Sequence, residues 1–217
     1  MTRDQQQVLN SVVNAQHNAQ QAWMNYWLHY SSAATWQFWL CLAIFVAPLV
    51  VLYFTLDRKK AFRIGFLGLN IHVWFAYIDA CGLAWGLWSY PYKVVPFRFP
   101  SVTLDASLVP VTYMLVYQWT LNQKRSYYLY ATILSALFAF VLKPIMVWSH
   151  FFQMYQWMNY FYLFCGYLIV MLAAKFITDF FTYLQKSQGN QDVPRGEDLE
   201  RTTAAQPDRG PKNPSPS

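Results

Sequence analysis

The chain has 217 residues, of which 56% are hydrophobic and 20% aromatic but only 12% charged. Soluble domains carry roughly 25% charged residues, so about half of the usual surface charge is missing and a water-covered globule is excluded. The net charge of +6 sits in short clusters at the ends of apolar runs, not on one basic face, which excludes a nucleic-acid surface.

Mean hydropathy is only +0.16 because polar ends dilute an apolar middle. In residues 1–35, Val8, Val12, Ala15, Ala19, Ala22 and Tyr26 recur at alternating steps of four and three. That spacing puts them on one helical face. Leu9, Val13, Trp23, Trp27 and Tyr30 widen the stripe, with Gln and Asn filling the other side. The pattern predicts an amphipathic helix, either lying in a membrane interface or packed against the rest of the protein. No short apolar run precedes a small-residue cleavage site, so the first span is expected to act as an uncleaved insertion signal.

No charged residue occurs between Asp4 and Asp57. Trp36 to Leu56 offers 21 uncharged residues, and a bilayer core needs ~20 residues of helix. Pro48 lies inside, as proline is tolerated in spanning helices. Ile64 to Trp88 is a second span, with His72 and Asp79 inside it. Ser89 to Thr103 carries Pro91, Pro96 and Pro100 among aromatics and reads as an ordered loop. Ala106 to Leu121 is a shorter third span with Pro110 inside and Asp105 at its mouth. Tyr127 to Trp148, with Lys143-Pro144 near its end, is a fourth, and Tyr160 to about Leu184 a fifth. The expectation is an all-α membrane bundle of about five helices over residues 36–184. The segment 185–217, rich in Gly, Pro, Asp, Arg and Ser, is expected to be a disordered tail.

Basic residues orient the spans. Arg58, Lys59, Lys60 and Arg63 fill the first loop, Lys124 and Arg125 the third, and Lys186 opens the tail. The other side holds Arg3, Lys93 and Arg98. The positive-inside rule then puts the N-terminus outside and the C-terminus in the cytoplasm. Trp36, Trp39, Trp85, Trp88, Tyr90, Trp119, Tyr127, Tyr128, Trp148, Trp157 and Tyr160 crowd the span ends and read as an aromatic belt.

Ionisable groups within a bilayer are costly and are the first candidates for function. Counting from Ile64, His72 lies ~12 Å and Asp79 ~22 Å from the inner side, and Lys143 lies ~24 Å from Tyr127. Topology thus brings Asp79, Asp105 and Lys143, with His150 close by, to one level in the outer half. Pairing of Asp79 with Lys143, beside Asp105, would support the charge of each. Two alternatives stay open: Lys143 snorkels to the interface, and Asp105 is a water-exposed N-cap. His72 and Asp79, seven apart, share a face and suggest a proton or ion path, or a satisfied core histidine. Lys175 and Asp179 have ion-pair spacing near the inner end, where an interfacial anchor explains them.

Gly82 and Gly86 form a GxxxG that permits close helix packing, within the chain or between copies. Cys41, Cys81 and Cys165 lie in apolar runs with no metal spacing and are expected to pack as small apolar residues. Neither HExxH, GxSxG nor a P-loop is present, so no catalytic residue, metal or cofactor is expected.

The run Trp85-Gly86-Leu87-Trp88-Ser89-Tyr90, Leu104-Asp105-Ala106 followed by Val109-Pro110, and the stretch Trp148 to Asn159 resemble a group of small multi-pass membrane proteins of spore-forming bacilli and clostridia. The resemblance covers about Phe66 to Ile169, leaving out the Gln/Asn-rich N-terminus and the charged tail. It implies a bacterial cytoplasmic membrane and points toward sporulation, and it carries over no activity and no functional residue. The expected function is therefore a non-catalytic membrane protein that assembles with itself or with other membrane proteins. The alternative is a small transporter or proton/ion-conducting protein using His72, Asp79, Asp105 and Lys143. Five spans without an internal repeat are few for a monomeric transporter.

Overall fold

The computed structural model describes residues 1–96 and 101–189, so Arg98, Pro100 and the tail from Asn190 lie outside the described residues. Residues 1–178 form one compact unit, and a second begins at Asp179. The described part of the second unit is the end of the last helix, which continues to Gly189, past the Gln185 at which the tail was expected to begin.

Helix α1 (Arg3–Tyr30) starts at a capping box. The Thr2 hydroxyl accepts from the Gln5 amide at 3.2 Å and the Gln5 side chain accepts from the Thr2 amide at 2.9 Å, so two orphan donors are satisfied reciprocally. No residue of α1 is buried. Its C-terminal half nevertheless leans on the loop after the second span. Trp27 Nε1 donates to the Lys93 carbonyl at 2.9 Å, Gln20 to the Pro96 carbonyl at 3.3 Å, and Lys93 Nζ lies 4.7 Å from the Trp23 ring centre. Buried Ser31, just after α1, fixes the same loop by exchanging hydrogen bonds of 2.8 and 2.9 Å with the Lys93 backbone. The N-terminal half, with Val8, Leu9, Val12 and Val13, is exposed.

Among the described residues, four helices are long and apolar enough to cross a membrane: Trp36–Thr55 (α2), Ala61–Ala84 (α3), Tyr127–Trp148 and Tyr160–Ser187. The third of these comprises α5 (Tyr127–Leu137), a π-helical turn (Phe138–Leu142) and α6 (Lys143–Trp148), and the fourth is the body of α7 (Tyr160–Gly189). The segment expected as a third span is helical as well, as a π-turn (Leu104–Leu108) leading into α4 (Val109–Gln123), but it does not reach the same hydropathy. Burial explains this: Val109, Val111, Tyr113, Met114, Tyr117 and Thr120 are enclosed by neighbouring helices. A helix solvated mainly by protein has less need of an apolar surface than one facing lipid.

Both π-turns precede a proline. The Val109 amide donates back five residues to Leu104, and the Lys143 amide to Phe138. Pro110 and Pro144 have no amide hydrogen, and in a regular helix their rings would meet the carbonyls of Ala106 and Phe140. The wider turn relieves that crowding. In α2, Pro48 is handled differently: one turn before it, the Phe45 carbonyl accepts the Ser107 hydroxyl at 2.5 Å. The carbonyl that Pro48 leaves without a ladder donor is that of Ile44, so the Ser107 contact ties the first π-turn to α2 beside the break.

Loop contacts align the passes. Gln118, near the end of α4, accepts from the Asp57 amide and donates to the Thr55 carbonyl, both at 2.8 Å. Lys60 bonds to Asn122 and pairs with Asp57 at 3.4 Å. Arg63 and Lys175 each lie 5.5 Å from the Tyr117 ring centre. The basic residues of the first and third loops therefore share one end of the bundle. At the opposite end, strands β1 (Trp88–Ser89) and β2 (Gln153–Met154) pair antiparallel, within segments expected to be free of strands. Between the two ends the helical passes alternate in direction. Ile64, Leu67, Ile71, Tyr113, Tyr117 and Met171 form the fully buried middle.

The two glycines of the GxxxG serve different ends. Gly86 has φ +65° and closes α3: the Leu87 amide reaches the Gly82 carbonyl at 2.9 Å and the Gly86 amide reaches Leu83 at 3.2 Å. This is a Schellman cap, which needs left-handed backbone at this position. At Gly82 a Cβ would run into the Trp88 indole. The motif thus packs and caps within the chain. Gly82→Ala should cost about 1–3 kcal/mol by overpacking, whereas Gly65→Ala, with nothing within 4 Å of its Cβ, should be nearly neutral. Thermal unfolding in detergent compares them, and equal mildness would contradict the Trp88 packing.

Candidate functional site

Asp79 sits in the last part of α3, turned inward and only 5% exposed. Its Oδ1 accepts from Trp88 Nε1 at 2.7 Å and from the Tyr90 hydroxyl at 2.8 Å, and its Oδ2 accepts from the Ser101 amide at 3.0 Å. Trp88 and Tyr90 alternate along extended chain and so present the same side. Gly82 leaves the space in which the Trp88 indole crosses α3. Burial, then the nearby Asp79 and Asp105 carboxylates, push the Tyr90 hydroxyl well above its ordinary range, so it stays protonated and donates. Expected as interfacial anchors, Trp88 and Tyr90 are buried partners of an intramembrane carboxylate. Trp36, Trp39, Trp85, Trp148 and Trp157 remain exposed, as a belt requires.

Asp105 lies in the first π-turn, 5% exposed, and is not a water-facing N-cap. Its amide bonds to the Ser101 carbonyl at 2.8 Å and its own carbonyl meets His72 Nδ1 at 2.8 Å. A carbonyl only accepts, so Nδ1 carries the hydrogen. His72 thus holds the backbone of the π-turn, and its ring does not line the cavity that Asp79 lines. The Asp105 Oδ2 is buried with no hydrogen-bond partner.

Lys143 begins α6 directly after the second π-turn and is 3% exposed, so it does not snorkel. It makes no direct ion pair with Asp79. Its Nζ lies 3.4 Å from the Tyr90 hydroxyl, which in turn donates to Asp79, and 3.6 Å from the centre of the Phe152 ring. The expected pair is therefore a relay with a tyrosine hydroxyl between the charges. One hydroxyl can accept from an ammonium and donate to a carboxylate at once. His150, with φ 61°, is exposed in the turn after α6 and takes no part.

The three charged side chains line one cavity of about 140 Å³, together with Phe75, Tyr90, Phe152 and Tyr167. It reaches the surface beside half-exposed Tyr162. Toward the basic end its lining stops at buried Phe75 on α3 and Tyr167 on α7. Lys175, expected as an interfacial anchor, is buried with its Nζ within cation–π range of Tyr117, Tyr127 and Tyr128. Such a site can hold a charged group or a proton away from bulk water, where each interaction is stronger than in water.

Replacing Asp79 by Leu strands two buried donors and one half-buried one and should cost about 3 kcal/mol or more, whereas Tyr90→Phe should cost about 1–2 kcal/mol. Asp79→Asn and Lys143→Met should be non-additive in a thermal-shift cycle, and Tyr90→Phe should remove most of that coupling. Coupling that survives without the hydroxyl would rule out the relay.

Compared with known proteins, the chain matches no family model, no curated protein and no solved structure.

Proposed function

We propose that this chain is a non-catalytic multi-pass membrane protein of transporter type that takes a small cation into the Asp79–Asp105–Lys143 cavity. One observation carries this reading: two buried carboxylates and a buried ammonium line a single cavity, and one carboxylate oxygen has no partner. A bundle that needed only stability would do as well or better with apolar side chains there. Ionisable groups kept at membrane depth point to a solute or ion path. Closure toward the basic end corresponds to a state open on one side only.

The gathering of Arg58, Lys59, Lys60, Arg63, Lys124 and Arg125 at one end supports a cytoplasmic placement for that end. In that orientation α1 and the mouth of the cavity lie outside. The bacterial cytoplasmic membrane rests on the resemblance stated above. The lipid bilayer is then the main partner, and a nucleic acid is not one.

Assembly, with itself or with another membrane protein, is favoured by a separate feature. Val8, Leu9, Val12 and Val13 form an exposed apolar stripe on α1, whereas the GxxxG is used up within the chain. Assembly would supply the second copy that a five-pass transporter without internal repeats calls for.

Electrometry on proteoliposomes during jumps of Na⁺, K⁺, methylammonium and pH tests the transport reading. The wild type should displace charge with at least one of them, and Asp105→Asn should lose about tenfold or more of that signal, equivalent to about 1.4 kcal/mol. Silence under all four jumps would overturn it. Deleting residues 1–18 should lower the oligomeric state in nanodiscs if α1 assembles the protein, and an unchanged mass would exclude that role.

A further inference from the structure

The charge inventory of the cavity does not balance. Asp79 and Asp105 are each 5% exposed and Lys143 3% exposed, so ionising all three leaves one uncompensated negative charge in an apolar bundle. The other groups facing the site do not supply a cation. Tyr90 from the loop and Tyr162 and Tyr167 from α7, the other titratable groups of the lining, are phenols, and His72, on α3, lies outside that lining with its Nδ1 on the Asp105 carbonyl. Two buried carboxylates facing each other are commonly reconciled by a shared proton.

We infer that the cation bound by this site is a proton, held on Asp105 and hydrogen-bonded toward Asp79. Donor and acceptor arithmetic assigns it. Asp79 accepts from Trp88, Tyr90 and Ser101, and all three need its lone pairs. Asp105 has an oxygen that accepts nothing, and its side chain lies within hydrogen-bonding reach of the Asp79 carboxylate in the same cavity, so a proton there becomes a donor toward an acceptor. The inference rests on the transport reading for its physiological use but not for its chemistry.

Release has a structural consequence. When the Asp105 O–H bond breaks, the proton leaves through the mouth beside Tyr162 and Asp105 regains its charge. Lys143 is the cation at hand. Its ammonium has three donors and spends one, at 3.4 Å, on Tyr90. It then turns from the Phe152 face toward Asp105, drawing the start of α6 toward the first π-turn. Proton loss is thereby converted into movement between two passes, at the helix turns least committed to regular hydrogen bonding.

Infrared titration of the full chain in lipid nanodiscs tests this directly. At neutral pH the wild type should show a protonated-carboxyl stretch that shifts in D₂O. Asp105→Asn should abolish it. Asp79→Asn should abolish it too, because removing one carboxylate lets Lys143 balance the other. Lys143→Met should keep or strengthen it. Absence of the band in the wild type, or its survival in Asp105→Asn, overturns the inference, and neither result depends on whether Asp79→Asn folds. A band without any charge displacement in electrometry would leave the proton in place and remove transport. Displacement with Na⁺ in a protein lacking the band would do the reverse.

Discussion

The carboxylate of Asp79 is the constraint on which the far end of this bundle depends. An ionisable group placed there has to be satisfied by protein, since lipid offers it nothing. It is satisfied by Trp88, Tyr90 and the Ser101 amide, all from the connection after α3. Much follows from that requirement. α3 must end sharply at Gly86, residue 82 must lack a side chain, and the chain must run extended through Trp88 and Tyr90. The same connection carries the Lys93 backbone to Ser31 and so positions the end of α1. A single buried charge organises contacts among segments far apart in sequence.

The π-turns are the second organising feature. Each has a proline two residues past its end, and each carries a charged residue of the cavity: Asp105 lies within the first and Lys143 directly follows the second. Proline chemistry and site chemistry are therefore joined: the residues that disturb the helix set the direction of Asp105 and Lys143. Irregular turns of this kind are held in place by the packing around them. Fully buried Val109 and Ala139 beside the two turns show that packing.

Much of this was legible in the residues themselves. Charge gaps and apolar run lengths outline the helices, and a rise of ~1.5 Å per residue is enough to bring Asp79, Asp105 and Lys143 to one depth. Three things were not legible, for physical reasons. Trp88 and Tyr90 look like any aromatics near a span end, because anchoring and hydrogen bonding to a carboxylate call for the same amphipathic rings. The Asp79–Lys143 relationship could be placed by depth, but depth says nothing of a hydroxyl between them. Local composition cannot separate a helix facing lipid from one enclosed by protein, so the run ending in α4 looked like a weak span although it is the best-packed pass. An alternation of polar and apolar residues that starts within three residues of Gly86 is the signal that could have identified the β1 connection.

A π-turn is, geometrically, an α-helix that has gained one residue. Each added residue turns the helix on one side of it by about 100° relative to the other. Losing one residue at either turn would leave the helix almost as long and as apolar. It would, however, swing Asp105 or Lys143 away from the cavity. The site is thus encoded partly as a matter of phase: its existence depends on the count of residues in two passes as well as on their identity, and a relative could keep every charged side chain and yet lack the site.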